Sequence, residues 1–217
     1  MKNIIFSFVL CLLIQGCAST LTLKFDPQAL NGQEEISQEG AEAVISQKKA
    51  RVTIRPLAAT YSSESRPTIV VSVYGTEEPF DFSTEDIQVF VDGDPHRVFT
   101  YDELVADIKE QEKRSIEKAK GVKDAEYMTY GLGAMEASSA NTRLQANINA
   151  IQKKTKKSLK DLDSTILKNI RVLPYNQYSG HVTIEKIPNP TQPHQIKVIV
   201  TAAGEEHEFL LDHFKVK

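Results

Sequence analysis

Residues 87–99 read Ile87-Gln88-Val89-Phe90-Val91-Asp92-Gly93-Asp94-Pro95-His96-Arg97-Val98-Phe99. Two short runs rich in β-branched and aromatic residues flank an Asp-Gly, and the tight turn of a β-hairpin needs positive φ at its centre, which Asp-Gly supplies at little cost. The stretch therefore predicts a hairpin. Upstream, Arg51-Val52-Thr53-Ile54-Arg55 alternates apolar and polar residues as a half-buried strand does. Thr68-Ile69-Val70-Val71-Ser72-Val73-Tyr74 is β-branched and bounded by Pro67 and Gly75. Four strands are expected before residue 101.

Downstream the period changes. Asp102-Glu103 suits the start of a helix, where acidic groups meet the positive end of the dipole. A helical register runs through Leu104, Ile108, Gln111, Ser115 and Ala119 and is expected to end near Gly121. A second register passes through Leu144, Ile148, Ile151, Thr155, Leu159, Leu162 and Ile166 in steps of three and four, the spacing of a narrow apolar seam on a long helix. Between them lies a small-residue stripe, Ala125, Thr129, Gly133 and Ala137, while Gly121, Gly131 and Gly133 equally suit a loop. Residues 102–168 are thus expected to form two antiparallel helices that turn somewhere within 121–140.

After residue 170 the strand pattern returns in His181-Val182-Thr183-Ile184-Glu185, Gln195 to Thr201 and Glu206 to Leu211, the last after a turn at Ala203-Gly204-Glu205. Neither β half would bury a good core alone. The expectation is one discontinuous β-sandwich, 49–101 and 169–217, interrupted by the helical hairpin. About seven strands of this kind resemble an immunoglobulin-like sandwich. Residues 26–48 are Gln/Glu-rich without a sustained apolar period and read as a tether with one short helix around Glu39 to Gln47.

The amino terminus carries a different signal. Met1-Lys2 is a basic start, Ile4 to Ile14 is an almost unbroken apolar run, and Leu13-Ile14-Gln15-Gly16-Cys17 is followed by Ala18-Ser19-Thr20. A positive start, an apolar core too short to span a bilayer and a small residue at the cut site describe a secretory signal peptide. With a cysteine directly after Gly16, the segment resembles the lipobox signal of bacterial lipoproteins. That resemblance implies a signal peptide over 1–16, acylation of Cys17 and a lipidated tether over 17–48. Acyl chains contributing about 0.8 kcal/mol per buried methylene would hold the protein to a membrane. Ala18, rather than an acidic residue, implies the outer membrane, facing the periplasm.

The 217-residue chain has a formal net charge of −3. Removal of 1–16 takes away only Lys2, leaving 25 basic against 29 acidic side chains, a balance that argues against a nucleic-acid partner. Cys11 leaves with the signal, so no disulfide is expected. No catalytic group, metal or cofactor is expected either. His96, His181, His194, His207 and His213 form no metal-ligand spacing, and Glu205-Glu206-His207-Glu208 reads as hairpin surface. Ser179-Gly180-His181 lacks a nucleophile elbow, Gly131-Leu132-Gly133 is too sparse for a phosphate cradle, and Asp92-Gly93-Asp94 lacks the ligands of a calcium loop. Lys153 to Lys160, with five lysines in eight residues, reads as the solvated face of the second helix.

Two functions remain. One is a non-enzymatic envelope adaptor whose helical hairpin contacts an envelope protein or self-associates through Leu144, Ile148, Ile151, Leu159 and Leu162. The other is a glycan-, lipid- or peptidoglycan-binding module using loop tyrosines: Tyr127 and Tyr130 near the hairpin tip, Tyr175 and Tyr178 beside Pro174. Exposed loop aromatics are favoured contact residues.

Overall fold

The computed structural model describes residues 21–38, 40–130 and 134–216. Strand structure begins at once: β1 (Thr22–Gln28), β2 (Gln33–Gln38) and β3 (Ala41–Gln47) occupy the segment expected to be a tether with a short helix. The correction has a physical basis. In β1 Leu23 and Phe25 point into the core while Lys24 and Asp26 point outward, a period of two too short to stand out in a polar segment. Strand β2 is an edge, where polar side chains are the rule.

Strands β4 (Arg51–Pro56), β6 (Thr68–Tyr74) and β8 (Ile87–Val91) fall where the pattern places them. The expected strand at 96–99 is split into β9 (Asp94–His96) and β10 (Val98–Phe99), and the short β5 (Tyr61–Ser62) and β7 (Phe80–Phe82) are not among the expected strands. Asp92 (φ 51°) and Gly93 (φ 93°) make the expected turn between β8 and β9. Two helices follow, α1 (Tyr101–Tyr130) and α2 (Ala134–Thr165), then β11 (Ile170–Val172), β12 (Gln177–Ile184), β13 (His194–Ala202) and β14 (Glu205–Lys215).

Pairing builds one sheet in the order β5-β1-β14-β13-β8-β9, a second in the order β10-β12-β6-β4-β3-β2, and a β7-β11 ribbon. Every pairing between these strands is antiparallel. The two six-stranded sheets share one core. Phe25, Val89, Val198, Phe209 and Leu211 come from the first, and Val52, Ile54, Ile69, Val71, Val182 and Ile184 from the second. The fold is mostly β, a sandwich with a helical insertion, as the patterning predicts.

The first and last strands are hydrogen-bonded neighbours, with Leu23 opposite Lys215 and Gln28 opposite Leu210. The domain therefore includes residues 22–48, and the expected start at 49 is too late.

The helices differ from expectation in two details. Helix α1 runs through Gly121 to Tyr130, because one glycine costs a helix only about 1 kcal/mol. Its inward stripe is buried Leu104 and half-buried Ile108, Glu112, Ile116 and Ala119, whereas Gln111 and Ser115 are exposed. One helix ends at Tyr130 and the next begins at Ala134, inside the expected 121–140 window.

Candidate functional site

The hairpin is fixed to the sandwich by a built joint. Thr100 and Glu103 form a capping box: the Thr100 N–H donates to Glu103 Oε2 (2.8 Å) and the Glu103 N–H to Thr100 Oγ1 (3.3 Å). The Thr100 amide and then the Arg97 guanidinium hold the Glu103 carboxyl below its ordinary pKa. Phe99, Leu104 and Ile166 form a second small core, with Tyr101 and Leu162 packed on it. Arg66 lies 4.0 Å above the Phe99 ring centroid and also pairs with Asp107 at 2.6 Å. Across the joint, the Tyr101 hydroxyl donates to Asp163 Oδ1 (3.1 Å). On the exit side a Cβ on Gly180 would stand 2.6 Å from Leu167 Cα, so only glycine lets the chain leaving α2 lie against β12.

Away from this joint the hairpin is thinly packed. Leu104 and Ala140 are the only buried side chains among the described residues of helices 30 and 32 residues long. The predicted seam is real, in that Leu144, Ile148, Ile151, Thr155, Leu159 and Leu162 are its half-buried positions. Two helices alone leave those side chains partly in water. Lys153, Lys154, Lys156, Lys157 and Lys160 are exposed, as a solvated outer face requires.

At one end of the sandwich, four turns meet around a groove of about 670 Å³, within the usual range for ligand sites. Gln47, Lys49 and Arg51 come from the β3–β4 turn, Tyr74 to Phe80 from the segment after β6, Tyr175 from the β11–β12 loop and Ala203 from the β13–β14 turn. The Arg51 guanidinium lies 4.9 Å above the Tyr74 ring centroid. Tyr175 is 63% exposed with φ 58°, a left-handed conformation that non-glycine residues adopt at a cost. Its loop is held by two backbone bonds, from the Asn176 N–H to the Leu173 carbonyl (3.2 Å) and from the Gly75 N–H to the Asn176 carbonyl (2.8 Å). A Cβ at Gly75 would stand 2.2 Å from the Leu173 carbonyl oxygen, so the glycine is what lets the loop close down. The Lys49 N–H donates to Glu205 Oε2 (2.8 Å) and the Lys48 ammonium to the Glu206 carbonyl, tying two of the turns together.

The tyrosine expectations divide. Tyr175 lines the groove, whereas Tyr178 is half-buried against the main core, opposite Val73. Tyr127 and Tyr130 sit in the last turn of α1, and their side chains lie outside the described residues, as does Cys17. Sequence reasoning missed Arg51, Tyr74, Glu77 and Glu78 as groove residues. No local signal links them, since each sits in an ordinary strand end or turn.

The histidine next to Glu206 and Glu208 corrects another expectation. Strand alternation turns His207 inward, where it is fully buried with Nδ1 3.0 Å from Ser46 Oγ, so it is not hairpin surface. His213, six residues on, is also fully buried on the same face of β14. Its ring lies 5.5 Å from Phe25, 6.0 Å from Tyr61 and 5.7 Å from His194, centroid to centroid. Neither ring nitrogen has a hydrogen-bond partner among the described residues. Burial, and then the neighbouring His194, push the His213 pKa down to about 4. His194 Nδ1 pairs with Asp92 Oδ2 at 2.7 Å. Burial lowers the His194 pKa, but Asp92 and the Asn189 carbonyl together leave it raised. Ser179 Oγ lies 2.6 Å from Ser72 Oγ on the neighbouring strand, a cross-strand hydroxyl pair. Among the described residues no three His, Cys, Asp or Glu side chains cluster as metal ligands.

Against known proteins, the chain matches no family model, no curated protein and no solved structure.

Proposed function

We propose that the protein is a bacterial lipoprotein, acylated at Cys17 and held at the outer membrane facing the periplasm, and that its helical hairpin docks an envelope protein. The observation that carries the adaptor reading is the half-exposed seam on a firmly jointed hairpin. A helix of 30 residues is roughly 45 Å long. A third helix laid along Ile116, Leu144, Ile148 and Ile151 would take their remaining apolar surface out of water. Lysines flanking the seam favour a partner whose own flanks are acidic.

Strand order supports an immunoglobulin-like type for the sandwich. The run β4-β6-β12-β10 corresponds to A-B-E-D, and β14-β13-β8-β9 to G-F-C-C′. In that scheme the hairpin occupies the D–E connection, while β1 and the β2–β3 pair extend the two sheets.

Anchoring is tested with Cys17→Ser. The variant is expected to lose metabolic palmitate label and to leave the membrane fraction; an unlabelled wild-type protein would overturn the anchor. The adaptor is tested by in-cell crosslinking and mass spectrometry, comparing the full protein with one in which residues 109–157 are replaced by a short turn. That replacement keeps Leu104, Leu162 and Ile166 at the joint. Partners captured only by the full protein are expected, and the same partners in both samples would overturn the hairpin reading. Crosslinks between identical hairpin peptides would instead assign Leu144, Ile148, Ile151, Leu159 and Leu162 to self-association.

A further inference from the structure

We infer that the groove between Tyr175, Tyr74 and Arg51 is a carbohydrate-binding site for a linear oligosaccharide of low net charge. It lies at the opposite end of the sandwich from the start of β1. Strand β14 runs from the Ala203 turn beside the groove to Lys215, opposite Leu23, and its 11 residues span about 36 Å. Strand β6 likewise runs from Thr68, paired with Thr183 beside the hairpin joint, to Tyr74 at the groove, so a ligand there lies away from that joint.

The chemistry follows from the lining. A sugar ring is amphipathic, with C–H faces that pack on aromatic planes and hydroxyl edges that need hydrogen-bond partners. The groove provides both. Tyr175 offers an exposed ring on a loop already fixed by the Gly75 and Asn176 backbone bonds, so little entropy remains to be lost when a ligand stacks on it. Tyr74 offers a second ring, oriented by Arg51. Around them stand Gln47, Glu77 and Glu78, planar groups able to bridge vicinal hydroxyls.

Charge narrows the class. Lys49 and Arg51 are balanced by Glu77 and Glu78, so the charged lining groups sum to zero. A polyanion such as a nucleic acid or a phosphate-rich polymer would meet two carboxylates without surplus cations to neutralise it. A peptide would use a free strand edge or a deep apolar pocket for side-chain anchors. The groove instead presents turns and ring faces.

The test is titration calorimetry of the full mature chain with chitohexaose and, separately, cellohexaose. Both are β-1,4-linked and uncharged, and they differ by the N-acetyl groups, so their ratio tells whether those groups are read. Saturable binding to at least one is expected, weakened tenfold or more by Tyr175→Ala and by Arg51→Ala, with the urea unfolding midpoint of Tyr175→Ala unchanged. The exposed Tyr175 ring can be removed without opening the core, which keeps that variant folded. No binding of either sugar at millimolar concentration would overturn the assignment. So would equal affinity in wild type and Tyr175→Ala.

Discussion

A chain that starts at Lys49, keeping every strand the sequence pattern makes obvious, is expected not to fold. It would lose β1, β2 and β3, and with them Leu23, Phe25 and Val44, which are 1–3% exposed. Burying a side chain of this kind stabilises by roughly 1.5–3 kcal/mol, so the three together contribute about 6 kcal/mol, against about 5–15 kcal/mol for a whole domain. The loss is compounded at the sheets. Strand β14 would lose its neighbour along Leu210 to Lys215, and β4 would lose its partner on one side, leaving two unpaired edges facing solvent. Circular dichroism with urea titration reads the result. The truncated chain should show no cooperative transition, whereas a midpoint near that of a chain that keeps β1 to β3 would mean that these strands are dispensable.

His213→Leu is expected to make the protein more stable and to flatten its response to acid. The buried imidazole has no hydrogen-bond partner among the described residues and is surrounded by Phe25, Tyr61 and His194, so Leu removes an unsatisfied polar group worth about 1–3 kcal/mol. The pH dependence follows from its depressed pKa. With a folded value of about 4 against an ordinary 6.5, the unfolded chain takes up the proton first. The contribution of the neutral ring is therefore complete above pH 6.5. It declines as pH falls towards 4 and is gone below that, a change of about 3 kcal/mol at 1.36 kcal/mol per pH unit.

Burial, then Lys48, depress His207 as well, which adds loss of the same sign. His194 acts oppositely. Its raised pKa gives stability that is full below its unfolded value and is lost as pH rises through its folded one. Urea midpoints at pH 7.5, 5.5 and 4.5 should separate wild type from His213→Leu increasingly towards acid. Parallel curves would show that another group governs the acid limb.

The parts of this fold that local pattern reveals are those whose partners are close in sequence or whose apolar runs are long. Asp92-Gly93 and its flanking strands, the β-branched run of β6 and the seam of α2 all belong to this kind. Strand β1 does not, because Leu23 and Phe25 acquire their meaning from β14 at the far end of the chain. The extension of α1 past Gly121 and the shift of its stripe to Glu112 and Ile116 were hidden by charged residues within the seam. His207 illustrates a different limit: three flanking carboxylates suggest surface, yet alternation alone assigns it to the core. The groove is the least legible element, assembled from four turns, and only the proline-flanked Tyr175 stood out beforehand. Tyr178, three residues away, shares the composition but lies on a strand and packs inward.

The pairing of the first strand with the last also sets the order of events during synthesis. Six residues of β1, Leu23 to Gln28, pair with β14, which is made after all the other strands named above. Long-range closure of this kind is slow, and it is impossible until β14 is present. A polypeptide so wired cannot complete its first sheet until β14 has been made. If the chain is exported as proposed, the sandwich closes only after β14 has crossed.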